Sequence, residues 1–142
     1  MTTPAPHPIQ LELVVFTRSI VIAVPGHVPG PSTKMDGTTN KINIIKLPER
    51  QGAYHVTMNA VMNSQMDKAM PYHIDMEALA VLVVDDTLNE ADTQRGLYIT
   101  GHSVLYGAIR EAVSWSTSRQ IYGPLMLGLS VLQINTSTPP AP

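Results

Sequence analysis

The segment of this chain closest to a catalytic motif is Gly101-His102-Ser103-Val104-Leu105, which half-matches the G-x-S-x-G elbow that holds a serine nucleophile at a sharp strand-to-helix turn. Leu105 stands where the second glycine is needed to make that turn, and Ser103 is better placed to cap a helix. The five histidines, His7, His27, His55, His73 and His102, never fall at the i, i+4 spacing of a helical metal pair. His73 and Asp75 are two apart and would share one face of a strand, as a base and its orienting carboxylate would, although a solvated polar face accounts for them more simply. No glycine-rich loop joins a strand to a helix to cradle phosphate. Cysteine is absent, which removes disulfides, thiolate metal sites and cysteine nucleophiles. The residues therefore offer no arguable active site, and neither an enzyme nor a metal or other cofactor is expected.

Binding is left as the function to test, and composition narrows the partners. With 9 Lys and Arg against 11 Asp and Glu, the chain lacks the basic footprint that nucleic-acid phosphates demand. The N-terminus MTTPAPHP has no signal-peptide layout, and no apolar run approaches the roughly 18 residues that span a bilayer. A cytoplasmic location without membrane insertion is the expectation. At 142 residues and 44% hydrophobic content, the chain is sized for one soluble domain.

The elements that would position a binding surface follow from periodicity. Residues 1–8 and 136–142 are proline-rich and read as disordered tails, leaving a folded domain over residues 9–135. Ile9 to Val24 is β-branched and alternating in its first half, a strand. Pro25 to Asn40 is an irregular crossing loop dense in proline and glycine, and Lys41 to Leu47 is a short strand. Tyr72 to Val84 alternates and then becomes continuously apolar, as expected of a strand covered on both faces. Asp85 to Gly96 is read as a solvated acidic loop. From Val104 to Ser116 the apolar residues Val104, Leu105, Ala108, Ile109, Ala112 and Val113 recur at helical spacing, with Ser103 as cap.

Between these elements, Met58, Met62, Met66 and Met70 recur every four residues, an interval that returns to one face of a helix and also to one face of a strand. Periodicity leans towards a helix ending before Pro71, and the strand alternative stays open. Several strands followed by one helix predict an α+β fold whose antiparallel sheet is covered on one face, with apolar surface left for oligomerisation or partners.

Two stretches resemble the SecB protein-export chaperone family. FTRSIVIAVP, Phe16 to Pro25, is similar to that family's first strand. VLYGAIREAVSWSTSRQIYGPLMLGLSVL, Val104 to Leu132, is similar to its main helix and the segment that follows, with Arg110-Glu111, Ser118-Arg119, Tyr122 and Leu125-Met126-Leu127 in the expected places. The resemblance implies a SecB-like four-stranded antiparallel sheet with a long crossing loop and one main C-terminal helix, assembled as a homotetramer, a dimer of dimers. It also implies a strand over Tyr54 to Met62 and a connection over Asn63 to Met70, against the helical period.

Such proteins hold unfolded polypeptides in apolar grooves without ATP, and methionine suits a surface that must repack around unrelated sequences. The resemblance makes Phe16, Ile20, Met58, Met62, Met76, Tyr106, Trp115 and Tyr122 the candidate client contacts. The family's acidic contacts to the export motor SecA would fall at Ser19 and Ala23, which are uncharged, and Asp75 alone keeps an acidic match for partner docking. The second helix and the motor-binding tail have no counterpart after Leu132. These departures speak against docking on SecA and for a divergent chaperone, of the kind carried by a phage or mobile element, with unfolded polypeptides or one dedicated client as partner. The alternative is a protein of the same fold that binds one specific partner without general chaperone activity.

Overall fold

A computed structural model describes residues 6–29 and 39–129. The remainder of the expected crossing loop and the C-terminal tail lie outside the described residues. Four strands form one antiparallel sheet: β1 (Ile9–Ala23), β2 (Thr39–Lys46), β3 (Ala53–Met62) and β4 (Tyr72–Val84), in the order β1-β4-β3-β2. The connection from β1 to β2 thus crosses from one sheet edge to the other. One helix, α1 (Glu90–Thr117), lies against one face.

β4 is central, and its alternation sets the core. Tyr72, Ile74, Met76, Ala78, Ala80, Leu82 and Val84 all point towards α1 and are buried, whereas the intervening residues are half-buried. The register pairs Met58 with Ala78, Ala60 with Met76 and Met62 with Ile74, so β3 presents its even-numbered residues to the same core. The methionine interval is therefore that of a strand face, continuing only as far as Met62. Asn63 takes φ +52° and ends the strand, its side chain donating to the carbonyls of Asp67 and Tyr72. Met66 falls in the connection, also at positive φ.

The helix begins much earlier than its apolar spacing suggests. Asn89 is the N-cap, accepting from the Asp92 amide at 2.8 Å, and Glu90 and Asp92 complement the helix dipole in the first turn. The expected acidic loop is thus half helix, and Ser103 lies exposed in mid-helix rather than at a cap. The sharp elbow that its half-motif requires does not exist. Gly96 and Gly101, which look like helix breakers, instead allow close approach to the sheet. A Cβ on Gly101 would sit 2.7 Å from Val56 Cγ1, and one on Gly96 would sit 2.8 Å from Ile9 Cδ1. The buried ridge Thr93, Leu97, Gly101, Leu105, Ile109, Val113 and Thr117 runs in steps of four along the helix. Beyond Ser118 the chain turns at Gly123, φ +81°, and runs back beside α1 to residue 129.

The helical glycines differ in a way that stability measurements resolve. Gly101→Leu forces its side chain into the branched, rotamer-restricted Val56 and is expected to cost about 2 kcal/mol or more in urea denaturation. Gly107 lies in mid-helix and its Cβ position is open. Gly107→Ala is therefore expected to stabilise the protein by up to about 1 kcal/mol. Equal effects at the two positions would contradict the packing described.

Candidate functional site

The sheet's two faces have different fates, and the candidate contacts divide between them. Met58, Met62 and Met76 are at most 1% exposed, packed beneath α1. They are core residues of the protomer, because even-numbered positions of β3 and β4 face the helix, and they offer no surface to a client in this arrangement. Phe16 and Ile20 are four apart and would share a face on a regular strand. A bulge between Phe16 and Arg18 shifts the register, so Phe16 pairs with Ala78 on the helix side while Ile20 pairs with Asp75 on the outer side. Both are partly exposed.

No described element covers the outer face. Leu13, Val15, Ile20 and Ile22 of β1 line it at 36–46% exposure, beside half-buried Leu79, Val81 and Val83 of β4. The apolar run at the end of β4 is thus covered by α1 on one side only, and the expectation of two covered faces is corrected. The odd-numbered phase of Leu79, Val81 and Val83 was the sequence signal for this surface. Within it sits one polar cluster. The Arg18 guanidinium donates to Asp75 Oδ1 from Nε at 3.0 Å and from Nη2 at 2.9 Å, and Asn59 Nδ2 reaches the same oxygen at 3.3 Å. Thr17 Oγ1 donates to Glu77 Oε1 at 2.8 Å, with Arg18 Nη1 3.9 Å from the other Glu77 oxygen. Asp75, the expected docking carboxylate, is therefore already engaged within its own chain.

The aromatic candidates lie along and beyond the helix. Trp115 is 75% exposed. Tyr106 stacks on His102, centroids 5.6 Å apart, and its hydroxyl donates to the Gly128 carbonyl at 2.6 Å. Burial pushes the Tyr106 phenol up from its ordinary pKa, which keeps the donor protonated. Tyr122 meets His27 and Tyr72 edge-on and donates to the Val24 carbonyl at 2.6 Å, pinning the chain after α1 to the end of β1. It serves first as a structural anchor. His73, offered as a possible base, has its Nδ1 3.1 Å from the Met62 and Asn63 carbonyls, at the end of β3. Among the described residues no three His, Asp or Glu side chains gather as metal ligands, and no helix is long and apolar enough to cross a membrane.

A four-stranded antiparallel sheet in this order, crossed by one long helix, is the SecB-like fold. The chain is similar over 87% of its length to 91% of a solved Mycobacterium tuberculosis protein, the SecB-like chaperone Rv1957 in complex with a ChAD peptide from the Rv1956 HigA1 antitoxin, at a TM-score of 0.65 and 20% identity. No family model and no curated protein matches the sequence.

His102 provides a pH test of the helix packing. It is 7% exposed, and its burial lowers the imidazole pKa below the ordinary value. The unfolded chain then binds the proton more readily, so stability is full above about pH 6.5 and falls as pH drops towards the lowered native pKa. Urea midpoints of the wild type and His102→Gln between about pH 5 and 7.5 should converge as pH falls, because the variant lacks this dependence. Parallel profiles would show that His102 does not titrate differently in the fold.

Proposed function

We propose that this protein is an ATP-independent holding chaperone that binds non-native polypeptides on exposed apolar surface. The observation that carries the reading is the fold shared with a SecB-like chaperone that holds an antitoxin peptide. The uncovered outer face of the sheet supports it, because a client in extended form can lay alternate side chains on such a surface. Of the candidate contacts Ile20 lies on that face, Phe16 is accessible on the helix side of β1 and Trp115 on α1, and Tyr106 and Tyr122 are half-buried.

Assembly as a homotetramer in the cytoplasm belongs to the same reading. The long β1 edge and the exposed apolar residues of α1 supply surface for such contacts. Docking on the motor SecA does not belong to it, since the Arg18 pair occupies Asp75. A second reading, an interaction protein that binds one partner without holding unfolded chains, draws on the same fact that the relative's bound peptide comes from one antitoxin.

Suppression of aggregation of a chemically unfolded polypeptide, without nucleotide, separates the two. Near-stoichiometric suppression is expected, and the double variant Ile20→Asp, Ile22→Asp should weaken it by about tenfold, since a buried carboxylate opposes apolar contact. Circular dichroism checks that the variant is folded. A folded wild type that suppresses no aggregation, yet captures one partner in a stoichiometric complex, would establish the second reading.

A further inference from the structure

The chain after Tyr122 is held along α1 in an unusual way. Residues 123–129 form an extended strap antiparallel to the helix. Leu125 donates its amide to Thr117 Oγ1 at 2.8 Å, Arg110 Nε donates to the Leu127 carbonyl at 2.6 Å, and the Tyr106 hydroxyl donates to the Gly128 carbonyl at 2.6 Å. Each of these bonds is made to the main chain of the strap. Leu127 is buried and Leu125 half-buried against the helix, while Met126 and Leu129 point to solvent. Beside the strap lies a cavity of about 360 Å³ lined by Gly107, Arg110, Glu111, Ser114, Trp115 and Met126. One wall of that cavity is thus the strap itself, and the exposed Trp115 stands at another.

We propose that the flank of α1 from Tyr106 to Thr117 is a peptide-binding groove, filled in cis by residues 123–129, which an extended apolar client segment enters by displacing the strap. This rests on the reading of the protein as a client binder. A groove that bonds main-chain groups through two side-chain donors and one side-chain acceptor, and seats alternate apolar residues, does not depend on one particular sequence. It accepts an apolar-x-apolar segment, the pattern of Leu125-Met126-Leu127. The strap has no strand partner on its outer side among the described residues, so no ladder of bonds must break for it to leave. While seated, it reduces the fraction of molecules competent to bind and weakens apparent affinity in proportion.

The test uses the full-length chain and a synthetic peptide of residues 121–129, with emission of Trp115, the sole tryptophan, as one readout. Leu127→Asp unseats the strap without altering the groove. The folded variant should bind both the peptide and an unfolded client at least about fivefold more tightly than the wild type. Because the chain has no cysteine, Ser114→Cys with Met126→Cys, bridged by a bismaleimide, should hold the strap in place and weaken both affinities relative to the unbridged protein. If neither unseating nor bridging changes client or peptide affinity, the groove is excluded and the chaperone reading stands on its own measurement. The bridged protein keeps the test decisive if Leu127→Asp fails to fold. A wild type that binds no unfolded client, with a Leu127→Asp form that binds the peptide tightly, would overturn the chaperone reading and retain the groove.

Discussion

The seating of α1 on β3 and β4 is the constraint from which the rest of the structure follows. A ridge in steps of four, Thr93 to Thr117, lies over the even-numbered residues of the two strands, and Gly101 meets Val56 where a side chain would hold the elements apart. A single helix can cover only part of a four-stranded sheet. It buries Met58, Met62 and Met76, with each such side chain contributing roughly 1.5–3 kcal/mol relative to exposure. It leaves the far face and the outer half of β1 without a lid, so the stability of the core and the exposure of an apolar face have one origin.

Much of this was legible in the residues, because strands with one buried face announce themselves by alternation. β1, β2 and β4 were read from the sequence close to their observed bounds, and resemblance placed β3 where periodicity leaned towards a helix. Periodicity failed there for a definite reason: an interval of four is common to both structures, and the turn at Asn63 depends on hydrogen bonds formed only once Tyr72 is in place. The first half of α1 was missed because its apolar ridge includes Gly101 and Thr93, which carry no hydrophobic signal although both are buried in it. The bulge near Thr17 was also invisible, and it alone decides that Phe16 and Ile20 occupy opposite faces. The candidate site was legible as a list of apolar residues, but the division of that list into core and surface required the register.

The polar cluster on the outer face shows how a few residues alter what a surface can recognise. Asp75 and Glu77 would make an apolar sheet attractive to a basic partner. Arg18 and Asn59 instead bond one oxygen of Asp75 and Thr17 one oxygen of Glu77, with the Arg18 pair only partly shielded from water. A partly exposed pair of this kind adds little stability. Its larger effect is on specificity, because a basic segment approaching Asp75 must compete with a guanidinium already in place.

The same logic extends to the chain beyond the helix. With no further helix described after residue 117, the flank of α1 would be bare if Tyr122 did not anchor the returning chain to Val24 and so bring residues 123–129 alongside. The anchor and the strap differ in kind. Tyr122 packs among His27 and Tyr72 and ties two distant parts of the fold, whereas the strap is joined to the sheet through the Tyr72 hydroxyl at Gly123, seats Leu127 in the core along the helix flank, and leaves Met126 and Leu129 in solvent. Fixed at one end by Tyr122, and held along its length by Thr117, Arg110 and Tyr106 and by the burial of Leu127, the segment covers a flank of α1 that no other described element reaches.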